Sequence, residues 1–204
     1  MHKIFATTLL FAVMAGSPGT AAQLEAPAVA AAQLQVPGGV GGCIFLGISR
    51  EMRLATMAAY AGGGPSAIGQ VPNLRREVYE PARRCSAGGD INRDDALLVA
   101  FTSTVMKSTN ALKLSSHGLG QARLDAVWAQ STDTYKAPFV SHAEAYFSGQ
   151  PARGPSVQAT TGLVDALALP PSDLADTRGD ILNYFQAVAL NEMAEARLAN
   201  AAGR

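Results

Sequence analysis

The chain is poor in charge, in histidine and in cysteine. Charged residues make up 16% of its 204 positions, against ~25% in typical soluble domains. Its 16 basic and 16 acidic residues cancel, so no cationic excess exists to neutralise a nucleic-acid backbone, and nucleic acid is excluded as a partner. Two cysteines cannot build a disulfide-dense miniprotein, and a structural zinc site wants four ligands. No HExxH, CxxCH, GxSxG or Walker sequence occurs. The metal and cofactor expectation is therefore none. Sustained period-2 alternation is missing too, which argues against strands. The longest apolar run, Ile4 to Met14, has eleven residues and is broken only by Thr7 and Thr8; it is too short to span a bilayer. The next candidate, Cys43 to Ala61, carries Arg50, Glu51 and Arg53 near its centre, and charges there oppose insertion. No membrane span is expected.

What remains is a chain 48% apolar, with 38 alanines and twelve arginines against four lysines. That composition points to a folded, alanine-rich, helical protein.

The N-terminus has the grammar of a secretory signal peptide over residues 1–22. His2 and Lys3 precede the apolar run, Gly16-Ser17-Pro18-Gly19 breaks it, and Thr20-Ala21-Ala22 offers small residues for cleavage. This places the protein in the periplasm or outside the cell. Residues 23–42 read as a disordered, low-complexity tether. Ala21 to Pro27 is echoed by Ala31 to Pro37, and the Pro37–Gly42 stretch cannot hold regular structure cheaply. A single helical domain follows over 43–204. Cys43 has two readings. Val40-Gly41-Gly42-Cys43 is similar to a lipobox, but it lies far from the apolar run that a lipobox should close. A disulfide from Cys43 to Cys85 suits an oxidising compartment and is preferred.

The expected fold is all-α, a bundle of four to five main helices. The first helix spans about Cys43 to Tyr60, with Ser49, Arg53, Thr56 and Tyr60 polar and Ile44, Ile48, Met52, Ala55 and Ala59 apolar. Asn73 caps a short helix that Pro81 divides from Cys85. Asn92 caps the next, whose apolar face is Leu98, Phe101, Val105 and Leu112, and Gly118 ends it. Leu124, Trp128, Ser131, Tyr135, Phe139, His142 and Tyr146 keep helical phase, which predicts one helix from about Leu119 to Phe147, kinked at Pro138; the alternative is two helices with a turn near Ala137. A short helix covers Leu163 to Leu169. Thr177 and Asp180 form a capping box for the last helix, whose buried stripe is Leu182, Phe185, Ala189, Met193 and Ala196.

Chemistry is sparse. His117 sits at a helix end, where a cation favours the carbonyl terminus. Thr104 to Lys107 has the spacing of an SxxK motif but lacks its serine and any KTG. Arg75, Arg76, Arg83 and Arg84, interleaved with Glu77 and Glu80, read first as a solvated face and second as a surface for an anionic partner. Arg178-Gly179-Asp180 is assigned no function. The candidate ligand site is the aromatic stripe: Trp128, Tyr135, Phe139, His142 and Tyr146, facing inward together. The functional expectation is an exported binding or interaction module for a small molecule or protein, without evident catalysis. The alternative is an exported hydrolase using His142 with Glu144, Glu192 or Glu195.

Overall fold

The computed structural model describes residues 38–150 and 154–202. The expected signal peptide and most of the expected tether lie outside the described residues. Among the described residues every α-helix falls in one of nine segments and there is no strand.

Helix α1 (Gly39–Gly47) begins inside the stretch expected to be tether. Glycine-rich sequence forms a helix only where something offsets its backbone entropy, about 1 kcal/mol per glycine. Two contacts do so here. The first amides of α1, Val40 N and Gly41 N, each donate to the Glu195 carboxylate at 3.0 Å. And Gly41 lets the helix lie directly on another backbone: a Cβ there would sit 2.2 Å from the Ala100 carbonyl oxygen.

The single helix expected over Cys43–Tyr60 is two. Ile48 is extended, and Ser49 caps α2 (Arg50–Gly63) by accepting from Met52 N at 3.2 Å. Arg53 turns back to donate to the Leu46 and Ile48 carbonyls at the end of α1. The expected faces also change. Thr56 and Tyr60, assigned to the polar side, are buried along with Met57. Gly64, at φ 70°, closes α2 and leads into the short α3 (Pro65–Ile68).

Pro81 does not divide its segment. Helix α4 (Leu74–Cys85) runs through it, burying Leu74, Val78, Pro81 and Ala82. Asn73 occupies the cap position in a left-handed conformation, without a side-chain capping bond. Cys85 ends the helix and is bonded to Cys43, Cα atoms 5.8 Å apart, so α4 is fastened to α1.

Helix α5 (Asp95–Ser115) is capped by Asp94 rather than Asn92; its carboxylate accepts from Ala96 N at 2.9 Å. Leu98 and Leu112, expected on its apolar face, are exposed. Gly118, at φ 73°, ends the segment, with Leu119 N reaching back to the Leu114 carbonyl. Next come α6 (Gln121–Gln130), α7 (Asp133–Phe147), a 3-10 turn at Gln158–Thr160 and the short α8 (Thr161–Asp165).

The last helix, α9 (Pro171–Ala202), starts six residues before the expected capping box. Pro171 opens it, where a missing amide costs nothing. Thr177 lies inside the helix and donates to the Asp173 carbonyl at 2.6 Å. Its buried set is wider than one stripe and includes Ile181, Tyr184, Phe185, Val188, Leu190 and Ala194. Leu182 and Met193 are only partly buried and Ala196 is exposed.

Helices α5 and α9 run antiparallel in contact. Asn191 reaches Ala100 and Ser103, and Lys113 pairs with Asp180 at 3.2 Å. Phe101 and Val105 of α5 join the Ile44, Phe45, Ile68 and Val78 core of α1, α3 and α4, whereas Val99 and Leu114 join the core around Trp128, Phe139 and Phe185.

Glu195 is the cap of a helix that glycine makes intrinsically weak. Glu195→Ala should lower unfolding free energy by about 1–2 kcal/mol, the scale of a lost charged N-cap. Urea denaturation checks this; a midpoint equal to the parent's would show that α1 stands without its carboxylate.

Candidate functional site

The aromatic segment is broken at Ser131–Thr132 instead of being bent at Pro138. Ser131 is extended, and Asp133 supplies an acidic first turn to α7. Pro138 sits within α7. The break changes the phase of α7 relative to α6, so the five stripe residues do not share one inner face. Trp128 and Phe139 are buried, but Tyr135 is 45% and Tyr146 52% exposed. His142 is half-buried and contacts the Gln186 side chain of α9.

Trp128, Phe139 and Phe185 form a closed aromatic triad. Trp128 stacks on Phe185 with centroids at 5.9 Å, and Phe139 meets both rings edge-on. The indole N–H donates to Glu192 Oε1 at 2.8 Å, and the Lys136 ammonium lies 5.5 Å over the ring. Glu192 thus serves the indole, and Glu195, one turn on, serves α1. The two carboxylates that share a sequence pattern are spent in different places. Glu144 is exposed. Among the described residues no group of three His, Cys, Asp or Glu side chains could hold a metal ion.

Polar side chains that do converge come from α2, α5 and α9. Asn110, on α5, has no exposed surface. Its Nδ2 donates to the Met106 carbonyl at 2.9 Å and to the Tyr60 hydroxyl at 3.0 Å. A carbonyl only accepts, so this contact fixes which way the amide points. The other amide atom, Oδ1, is buried with no hydrogen-bond partner. Since the Tyr60 oxygen accepts from Asn110, its own proton is left to donate elsewhere. Burial holds the Tyr60 phenol above its usual value, partly offset by the Asn110 bond and reinforced by the Asp180 carboxylate.

Tyr60 and Asn110 line a cavity of about 370 Å³ together with Met106, Lys113, Asn183 and Gln186. The charges at its edge cancel: Lys113 pairs with Asp180. His142 contacts Gln186, one of the cleft's lining residues. The cleft is therefore lined by a phenol and flanking amides, with no uncompensated charge, and the unpaired Asn110 Oδ1 lies buried behind that lining.

The stripe pattern missed Tyr60, Asn110, Lys113, Asn183 and Gln186. A signal for them exists. Ser103, Thr104, Lys107, Ser108, Thr109 and Asn110 crowd one stretch of an otherwise apolar helix. That many hydrogen-bonding groups on a helix with little free surface implies a buried polar seam.

A second polar group links α5, α6 and α9. Asp125 accepts from Lys107 Nζ at 2.8 Å and from the Tyr184 hydroxyl at 2.7 Å. Tyr184 is fully buried, and desolvation, that hydrogen bond and the carboxylate's charge all raise its pKa well above the ordinary value. No described cavity is lined by all three of these residues, and they read as a fastener.

Comparison with known protein families, with characterised proteins and with solved structures finds no match.

Two outcomes follow. Trp128→Ala should cost roughly 3–5 kcal/mol, the usual loss for a buried aromatic, and an unchanged thermal midpoint would remove Trp128 from the core. The two buried tyrosines set the alkaline limit. Both folded-state values lie above the unfolded value of 10.0. The unfolded chain therefore loses these protons first, and stability falls as pH rises past that value. A Tyr60→Phe, Tyr184→Phe double variant should lose less of its midpoint between neutral and strongly alkaline pH than the parent does. Parallel pH profiles would contradict this.

Proposed function

We propose that the protein is a binding module without catalysis, acting in the periplasm or outside the cell, and that the Tyr60–Asn110 cleft is its ligand site. The observation that carries this reading is that Asn110, which lines this cavity with Tyr60, keeps a buried Oδ1 without a partner, within reach of a ligand only if its side chain shifts toward the cavity. An unmet buried acceptor costs about 1–3 kcal/mol, and a ligand donor would recover part of that. Tyr60 supplies the complementary donor. The preferred ligand is small, polar and uncharged, with a hydroxyl or amide that both donates and accepts. A charged ligand would enter a site whose ions are already neutralised and would be desolvated without a counter-charge. Five helices, α2, α4, α5, α7 and α9, are taken as the main bundle, and α2, α5 and α9 of these line the site.

Export is supported by the signal-like residues 1–22, by the Cys43–Cys85 bond and by a further fact. No described helix is long and apolar enough to cross a membrane. The lipobox reading of Cys43 loses ground, because its sulfur is already bonded. The hydrolase reading has less support, since Glu192 and Glu195 are engaged with Trp128 and α1.

The test is a titration followed by the side-chain amide signals of Asn110, Asn183 and Gln186. Acetamide and erythritol are the neutral probes; acetate and methylammonium are the charged ones. Neutral probes should shift the Asn110 signals, and Asn110→Leu should abolish the response of Asn183 and Gln186 while the chain stays folded. A response to charged probes alone, or none at all, would overturn the reading.

A further inference from the structure

The ten arginines in the described region divide by what they touch. Arg53, Arg123 and Arg178 donate to backbone carbonyls, Arg93 pairs with Asp90, and Arg197 lies over the Phe147 ring. On α4 the pattern is different. Arg75, Arg76, Arg83 and Arg84 are all exposed. Among the described residues, Arg75, Arg76 and Arg84 make no ion pair; Arg83 meets Glu80 at 4.0 Å and stands over Tyr79. An exposed pair at that distance holds its partners weakly. Arg50, at the start of α2, is likewise exposed and makes no ion pair among the described residues; three of the four guanidinium groups without an internal role thus gather on one helix, in a chain whose total charge is zero.

Helical spacing puts them on one side. Positions 75, 76, 79, 80, 83 and 84 recur at steps of four, and the buried residues Leu74, Val78, Pro81 and Ala82 take the other side. The face spans about 14 Å from Arg75 to Arg84 at 1.5 Å per residue. It is rigidly held. Cys85 is bonded to α1, and Gly47 of α1 packs so closely on Pro81 that a Cβ would come within 2.8 Å of it. The neighbouring α1 exposes Leu46 at 58%, and Tyr79 lies at 36% within the cationic row.

We infer that this face of α4 docks on the anionic surface of a phospholipid bilayer. The chemistry matches on three counts. Guanidinium groups bind phosphate through paired N–H donors. A tyrosine suits the headgroup layer, where an apolar ring and a polar tip are both accommodated. An exposed leucine on the neighbouring helix α1 is available for a shallow apolar contact. Two carboxylates accompany the four cations, the exposed Glu80 within the row and the half-buried Glu77 at its edge, so the helix keeps a net positive charge. Binding of this kind is electrostatic and peripheral, so it weakens as salt screens it.

The experiment is cosedimentation of the full chain with two vesicle types: pure phosphatidylcholine, and phosphatidylcholine with one third phosphatidylglycerol. The quantity read is the difference in bound fraction between them, which cancels any apolar contribution from elsewhere in the chain. The parent should favour the anionic vesicles, and the preference should vanish at high salt. Arg75→Gln with Arg76→Gln should reduce the anionic partition coefficient about tenfold or more. Arg83→Gln with Arg84→Gln should act similarly, and both variants should melt with the parent because these side chains are exposed. Equal binding to both vesicles, no binding to either, or variants that bind like the parent would overturn the inference. Retention on immobilised polyglutamate without vesicle binding would also overturn it, in favour of an acidic protein partner.

Discussion

The burial of α5 on nearly every side governs the architecture. Thirteen of its 21 residues are buried, far more than the one stripe a surface helix hides. Such a helix has little solvent side on which to place its polar residues, and Leu98 and Leu112 occupy part of what there is. It handles them locally: Ser103 and Thr104 both donate to the Ala100 carbonyl, Thr109 donates to Val105 and Asn110 to Met106. Each of these groups returns its donor to a carbonyl three or four residues back, so most of a polar sequence can occupy the centre of the molecule with its donors met; Ser108 Oγ is the buried hydroxyl of α5 left without a partner.

The partners of α5 are shaped by the same requirement. Helix α1 must come close enough to exclude water from Ala100 and Thr104, and only glycine at position 41 allows that approach. This is why a glycine-rich segment is helical here, and why it needs the Glu195 carboxylate at its N-terminus. From the opposite side Asn191 donates to Ala100, Ser103 and Thr104 together. Lys107, the one basic residue near the middle of α5, is met by Asp125 and by the face of Tyr184.

The sequence shows the all-helical class, the Cys43–Cys85 pairing and the glycine stops at 64 and 118, because these depend on local backbone preference and on composition. It misleads wherever tertiary packing decides. Thr56 and Tyr60 read as a polar face, yet α5 and its Asn110 lie against that face. Leu98 and Leu112 read as core, yet the core is on the other sides of α5. The Trp128–Tyr146 periodicity continues through Ser131-Thr132-Asp133, a capping sequence that restarts the helix and turns Tyr135 and Tyr146 outward. Thr177 has the form of a cap, but Pro171 had already begun the helix. Periodicity identifies Trp128 and Phe139 correctly as buried and says nothing about Asn110, whose importance lies in a contact fifty residues away.

Asn110 also differs from its polar neighbours on α5 in a way that bears on function. A serine or threonine at that position could satisfy itself on the Met106 carbonyl, as Thr109 does on Val105. Ser108 Oγ is also unpaired, but one torsion separates a hydroxyl from the carbonyl four residues back. An amide has no such remedy. Its donor and acceptor lie in one plane and point in different directions from the same carbon, so pairing Nδ2 with Met106 obliges Oδ1 to find a partner elsewhere. Packing alone would be served as well by a smaller residue that leaves nothing unmet. The amide therefore leaves a buried acceptor unmet behind the wall of a cavity, beside a phenol whose proton is not used by Asn110, and it is this mismatch that the proposed ligand site rests on.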